Sequence, residues 1–147
     1  MVEITPLQPQ DRPDWLELWH GYLTFYESEI DQATTAATFD RLTADAELHG
    51  ALARDDDGHA IGLVHWLTHP ATWTRSDYCY LEDLFVAPDA RGAGAGEALI
   101  AHVRAWAERN GSAKVYWLTA ESNATARRLY DRVADRSGFI HYQIRMP

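Results

Sequence analysis

The ten residues YCYLEDLFVA, 78 to 87, leave this chain few folding options. They are apolar on both faces of an extended strand and are stopped by Pro88. Behind them runs DARGAGAGEALI, 89 to 100, with glycine at 92, 94 and 96. A helical pattern starts at once through Leu99, Val103, Trp106 and Ala107. A strand that needs cover on both faces, handed through a glycine turn to an amphipathic helix, requires helices layered on a sheet. The chain is therefore α/β.

The flanking pattern fills in the rest. Val2 to Thr5 is a short extended opening. Asp11 followed by Pro13 marks a helix start, and Trp15, Leu16, Trp19, Tyr22, Leu23 and Tyr26 recur at helical spacing to about residue 28. A second helix fits Thr38 to Leu48 through Phe39 and Leu42. ALAR, DDDGH and AIGLVHWLTH read as strand, tight turn and strand, with Asp57-Gly58 as the hairpin signal. PATWTRSD is a loop, and Asn110-Gly111 ends the helix after the glycine turn. AKVYWLTA is a strand, NATARRLYDRVA a helix and GFIHYQIRM a last strand. The expected order is β-α-α-β-β-β-α-β-α-β in one domain, residues 1–147.

Composition excludes several function classes. A net charge of −9 disfavours a nucleic-acid binder and favours a cationic small partner. No apolar run approaches the length of a membrane span, and MVEITPLQPQ has neither the basic start nor the apolar stretch of a signal peptide. A single cysteine, Cys79, rules out an internal disulfide framework and points to the reducing cytoplasm.

The glycine turn sits where helix N–H groups and the helix dipole favour an anion, although a ligand-free turn would use the same residues. A Walker A loop would end in Gly-Lys-Ser/Thr, and here Glu97 follows Gly96. A dinucleotide fingerprint needs G-x-G-x-x-G, and this is G-x-G-x-G. What remains is Arg91-x-x-Gly94-x-Gly96 behind a strand ending at Val86. This resembles the acetyl-CoA pyrophosphate loop of the GNAT superfamily of N-acetyltransferases. YLEDLFVAPDARGAGAG also resembles the matching strand and loop of the spermidine/spermine N-acetyltransferases and of the yeast-type histone and polyamine acetyltransferases. NATARRLY is similar to the family segment in which an asparagine touches the cofactor and a tyrosine faces its sulfur. The likeness covers about the whole chain, with its specific motifs in residues 78 to 139.

The resemblance implies a GNAT-type mixed, mostly antiparallel sheet flanked by helices. It implies acetyl-CoA as cosubstrate, no metal, a small basic amine as acceptor, and a homodimer that pairs through C-terminal strands. Arg91, Gly92, Ala93, Gly94, Ala95, Gly96 and Glu97 would hold the pyrophosphate, Leu84, Phe85 and Val86 would offer backbone groups to the pantetheine arm, and Asn123 would hold the middle of the cofactor. The chain departs from many relatives in YDRVADRSGF, which is longer between tyrosine and Gly-Phe, as in the polyamine branch. The substrate region before residue 78 matches loosely.

Acetyl transfer needs a neutral amine, a polarised thioester and a protonated leaving thiolate. Strand alternation places Tyr80, Glu82, Leu84 and Val86 on one face and Cys79, Leu81, Asp83 and Phe85 on the other. On residues alone, Glu82 and Asp83 read as carboxylates held in structural ion pairs with cations elsewhere or standing at an edge position. With the resemblance, Glu82 becomes either a base acting through water or the anchor of a cationic amine, with a carboxyl raised by burial. Tyr130, otherwise a core tyrosine beside Leu129 and Val133, becomes the general acid for the thiolate. Tyr26 and Glu27 fall where polyamine acetyltransferases contact substrate, and Asp83 joins them as a substrate candidate. Cys79, opposite Glu82 and without a basic neighbour, is buried structure rather than an acyl carrier. His20, His65 and His69 lack metal-site spacing, and the Asp55–Asp57 run is a solvated turn. The expected activity is direct acetyl transfer to a polyamine, a lysine-like amino acid or a basic peptide. The rival is a non-catalytic acyl-CoA sensor, which would need neither Glu82 nor Tyr130.

Overall fold

The computed structural model describes residues 1–147 throughout. Five strands form one sheet in sequence order: β1 (Glu3–Pro6), β2 (His49–Arg54), β3 (Ala60–Pro70), β4 (Asp77–Val86) and β5 (Val115–Tyr116). All neighbours are antiparallel except the last pair, β4 and β5. Helices α1 (Arg12–Phe25) and α2 (Gln32–Ala44) cover one face, and α3 (Ala95–Arg109) and α4 (Ala124–Val133) cover the other. This is the mixed, mostly antiparallel sheet flanked by helices that the resemblance implies. No helix is long and apolar enough to cross a membrane.

The pleat of the central strands makes two cores. Leu52, Leu63 and Phe85 face Trp15, Leu18, Trp19 and Leu23 of α1 and Phe39 and Leu42 of α2. Ala51, Ala53, Val64 and Trp66 face Leu99, Ile100, Val103 and Ala107 of α3. Alternating neighbours thus serve opposite layers, as the two-residue period requires.

α2 begins six residues before the expected Thr38 and ends at Ala44. Its start is set by a cap, not by apolar spacing: the Asp31 carboxylate accepts from the Thr34 N–H at 2.7 Å. Its end is set by Asp45, which adopts the left-handed conformation at φ 54°. The polar first turn, QATT, hides that start from a periodicity reading.

β4 departs from simple alternation. His65 pairs with Asp83, but the next residue, Trp66, pairs with Leu81, so Glu82 is an extra residue bulged out of the ladder. Faces switch there. Cys79 and Leu81 belong to the α3 core together with Leu84 and Val86, while Asp83 and Phe85 turn toward α1. The expected grouping of Glu82 with Leu84 and Val86, and of Leu81 with Asp83 and Phe85, is corrected by this one inserted residue.

β5 is shorter than the expected AKVYWLTA: only Val115 and Tyr116 pair, with Cys79 and Tyr80. Beyond Tyr80 the two parallel strands part. The expected last strand, GFIHYQIRM, joins no sheet, and no helix or strand follows α4. Phe139, Ile140, Tyr142, Ile144 and Met146 are 74–89% exposed. An alternating sequence becomes a strand only when an edge accepts its backbone, and this segment pairs with none within its own chain, leaving the outer flank of β5 open.

Candidate active site

Where β4 and β5 part, the β4 edge from Leu84 to Val86 borders a cavity of about 460 Å³. The glycine loop closes one end, and Asn123, Ala126, Leu129 and Tyr130 of the α4 region form the opposite wall. Arg91, Gly92, Gly94, Ala95, Gly96 and Glu97 all line it, whereas Ala93 does not. Gly92 and Gly94 hold φ of 94° and 84°, in the left-handed region, and a Cβ on either would meet no atom within 4 Å. The backbone bend therefore demands glycine at these two positions while the space beside them stays open. Gly94 caps α3, whose first N–H groups have no helical partner, and Ala95, Gly96 and Glu97 of that first turn line the cavity. Gly96 serves a different purpose: a Cβ there would stand 3.1 Å from Leu129 Cδ2, so it lets α3 and α4 approach. Arg91 lies over the Phe25 ring at 5.9 Å, and Arg132 pairs with Glu97 at 3.2 Å. An open bend, a helix N-terminus and two arginines suit an anionic group such as a pyrophosphate.

A second cavity, of about 820 Å³, runs along β5 and the segment after α4. Tyr26 and Tyr130 line both cavities. Tyr130 is half-buried, stands edge-on to Trp117 at 5.4 Å, and its hydroxyl makes no hydrogen bond within the protein. Burial, and then the neighbouring Tyr26, push its phenol up to about 12. Asn123 does not cap α4 with its side chain, which reaches Thr119 Oγ1 at 3.4 Å.

The carboxylates of β4 line neither cavity directly; Tyr22 connects them to it. Tyr22 lines the second cavity, and its hydroxyl donates to Asp83 Oδ1 at 2.7 Å. Asp83 Oδ2 lies 2.9 Å from His65 Nδ1, and the buried Trp15 indole donates to His65 Nε2 at 3.0 Å. Glu82, in the bulge, is open to solvent on one side. Burial, and then the Asp83 charge, raise its carboxyl above the ordinary range against opposing pulls from His65 and then Arg41.

The remaining candidates fall elsewhere. Glu27 occupies the exposed turn after α1 at φ 52° and lines neither cavity, because the helix ends at Phe25 rather than near 28. Cys79 is buried, and burial pushes its thiol up to about 11, which suits structure rather than an acyl carrier. His20 is exposed, and His69 is bonded to Pro70 O and the Tyr116 hydroxyl, so the three histidines do not converge. Sequence reasoning missed Trp15, His65 and Tyr22 as site residues. Their signal, a histidine directly across from Asp83, depends on the strand register.

The Acetyltransferase (GNAT) family profile matches residues 13–134. The D-amino-acid N-acetyltransferase HPA3 of Saccharomyces cerevisiae is 33% identical over 144 residues, covering 97% of this chain and 89% of that protein. The uncharacterized N-acetyltransferase YhfO of Bacillus subtilis is 30% identical over 134 residues, covering 88% of each chain. Among solved structures, AAC(6')-Iy in complex with a CoA bisubstrate analog superposes with a TM-score of 0.84 at 20% identity, over 99% of both chains. A ribosomal-protein-alanine N-acetyltransferase from Brucella melitensis biovar Abortus 2308 superposes at 0.82 and 23% identity, over 99% of this chain and 100% of that one. With its split sheet, its glycine-capped helix and these relatives, the chain belongs to the GNAT family of acetyltransferases.

Proposed function

We propose that this protein moves the acetyl group of acetyl-CoA directly onto the primary amine of a small basic substrate, within a ternary complex. The observation that carries the reading is the wall shared by the two cavities. Tyr130 and Tyr26 border both the cavity ending at the glycine loop and the cavity along β5. A thioester entering from one side meets an amine entering from the other at Tyr130.

In this reading the loop from Arg91 to Glu97 receives the pyrophosphate on the first N–H groups of α3. The β4 edge at Leu84, Phe85 and Val86 lies free beside the pantetheine, and Asn123 borders its middle. Bound acetyl-CoA supplies the activated acyl group. Tyr130 donates its hydroxyl proton toward the departing sulfur. Glu82 and Asp83 supply the negative charge that draws a cationic amine, with Glu82 as its anchor at the mouth of the bulge. Because HPA3 is a D-amino-acid N-acetyltransferase, amino acids join polyamines among the acceptors to try. Lys114, Arg127 and Arg136 on the second cavity offer cations to an amino-acid carboxylate.

The assembly belongs to the same proposal. The exposed, alternating segment from Gly138 to Met146 and the unpaired flank of β5 are each incomplete alone. In a homodimer each would complete the partner's sheet. The activity test is thiol release from acetyl-CoA over a panel of spermidine, thialysine, lysine, D-amino acids, aminoglycosides and a basic peptide. An enzyme releases CoA with one class and forms the matching amide. A protein that binds acetyl-CoA and releases none with any amine is a sensor.

A further inference from the structure

Four side chains form an unbranched hydrogen-bonded chain from the dry core to the second cavity. Trp15, 1% exposed, donates its indole N–H to His65 Nε2 at 3.0 Å. An indole nitrogen is a donor only, so Nε2 is the accepting nitrogen and the imidazole proton sits on Nδ1. That proton points at Asp83 Oδ2, 2.9 Å away. The other carboxylate oxygen receives the Tyr22 hydroxyl at 2.7 Å. Asp83 faces no arginine or lysine within ion-pair distance, and its side chain is 14% exposed. Tyr22 in turn stacks on Trp19 at 5.4 Å and lines the cavity where the acceptor enters.

We propose that Tyr22 and Asp83 are the proton route for the acceptor amine, and that His65 and Trp15 are positioning residues that hold Asp83 as its terminus. This rests on the acetyl-transfer reading above. An ammonium at the cavity gives one N–H proton to the Tyr22 oxygen while the Tyr22 hydroxyl proton passes to Asp83 Oδ1. The amine gains its lone pair, Tyr22 regains a hydroxyl, and Asp83 becomes a neutral acid. Asp83 Oδ2 keeps the His65 bond in both states, so nothing rearranges. The proton stops at Asp83 because Trp15 occupies the one nitrogen of His65 that lacks a proton. It returns through Tyr22 to solvent after the amide leaves. Burial, followed by the Asp83 charge, holds the Tyr22 phenol well above the usual tyrosine range, so the route works by a concerted shift and not through a tyrosinate. The other titratable or charged groups around it are Tyr26 on α1, Tyr80 on β4, Glu82 in the bulge and Arg41 of α2, which acts on Glu82. Cross-strand pairing of His65 with Asp83 at the bulge fixes the geometry.

The test compares wild-type protein with Tyr22→Phe, which keeps the ring and its stacking. For a primary alkyl amine that is mostly ammonium at neutral pH, kcat/KM should fall by about 10²- to 10⁴-fold, with acetyl-CoA affinity unchanged. The deficit should shrink about tenfold per pH unit as the amine deprotonates toward ~10.4 by itself. It should nearly vanish for a fluorinated analogue of the same amine that is already neutral in the assay. A structural defect would not respond to acceptor basicity. Imidazole nitrogen spectra of the wild-type protein supply a second readout that needs no variant: His65 should carry its proton on Nδ1. A deficit that is the same at every pH and for both amines, or a His65 proton on Nε2, overturns the route. Wild-type protein that acetylates no amine at all overturns the transfer reading and this route with it.

Discussion

Replacing Tyr130 with phenylalanine isolates one hydroxyl. The ring remains against Trp117, and because the hydroxyl bonds to no protein group, its removal orphans nothing. The stability change should stay within about 0.5 kcal/mol. The chemical effect should be large. Burial, and then Tyr26, push this phenol up to about 12, so it carries its proton through the neutral range. Complete transfer to a thiolate whose thiol titrates near ~8.5 is uphill by roughly 3.5 units, about 5 kcal/mol. The hydroxyl therefore acts first as a hydrogen-bond donor to the sulfur as charge builds, and the proton follows when CoA departs. Losing one such half-buried donor costs about 10²- to 10³-fold in turnover. Single-turnover thiol release measures the chemical step, calorimetry the acetyl-CoA affinity, and a thermal melt the fold. A folded Tyr130→Phe protein with rate-limiting chemistry and more than about a tenth of wild-type turnover refutes the donor role.

At the loop, Gly94→Val places a branched side chain beside the helix N-terminus and forces it into φ 84°; acetyl-CoA affinity should drop sharply by calorimetry, with about 1–2 kcal/mol lost in stability. Unchanged affinity in the folded variant would contradict the loop assignment. Glu82 must be ionised to attract an amine, and its carboxyl is raised above the ordinary 4.5 by burial and Asp83, so the acid limb of kcat/KM should lie above that value. Lowering pH through the limb protonates Glu82 and removes activity, and Glu82→Gln should erase the limb while lowering the plateau. Deleting residues 138–147 should convert a dimer to a monomer in light scattering; a full-length protein that is already monomeric at high micromolar concentration speaks against strand exchange.

Much of this protein is determined locally and is legible in the linear order. Pro88 after an apolar strand, the glycines at 92 and 94, and the periodic helix behind them specify their conformations through φ restrictions and side-chain period, needing no distant partner. Family motifs placed Tyr130 and the loop at one cavity, and the structure brings them together there. Other features depend on partners remote in sequence. Glu82 is bulged because β3 pairs Trp66 with Leu81, and no property of YLEDLF announces a register shift. That single shift sends Asp83 toward α1, where Tyr22 and His65, 61 and 18 residues away, can reach it. The C-terminal alternation is the opposite case: its pattern is strand-like, but a strand exists only where its backbone pairs with an edge, and within one chain this segment stays unpaired although the outer flank of β5 is free. Local sterics and periodicity decide which elements form. Pairing between strands decides which side chains meet, because a hydrogen-bonded register shifted by one residue exchanges the faces of everything beyond it.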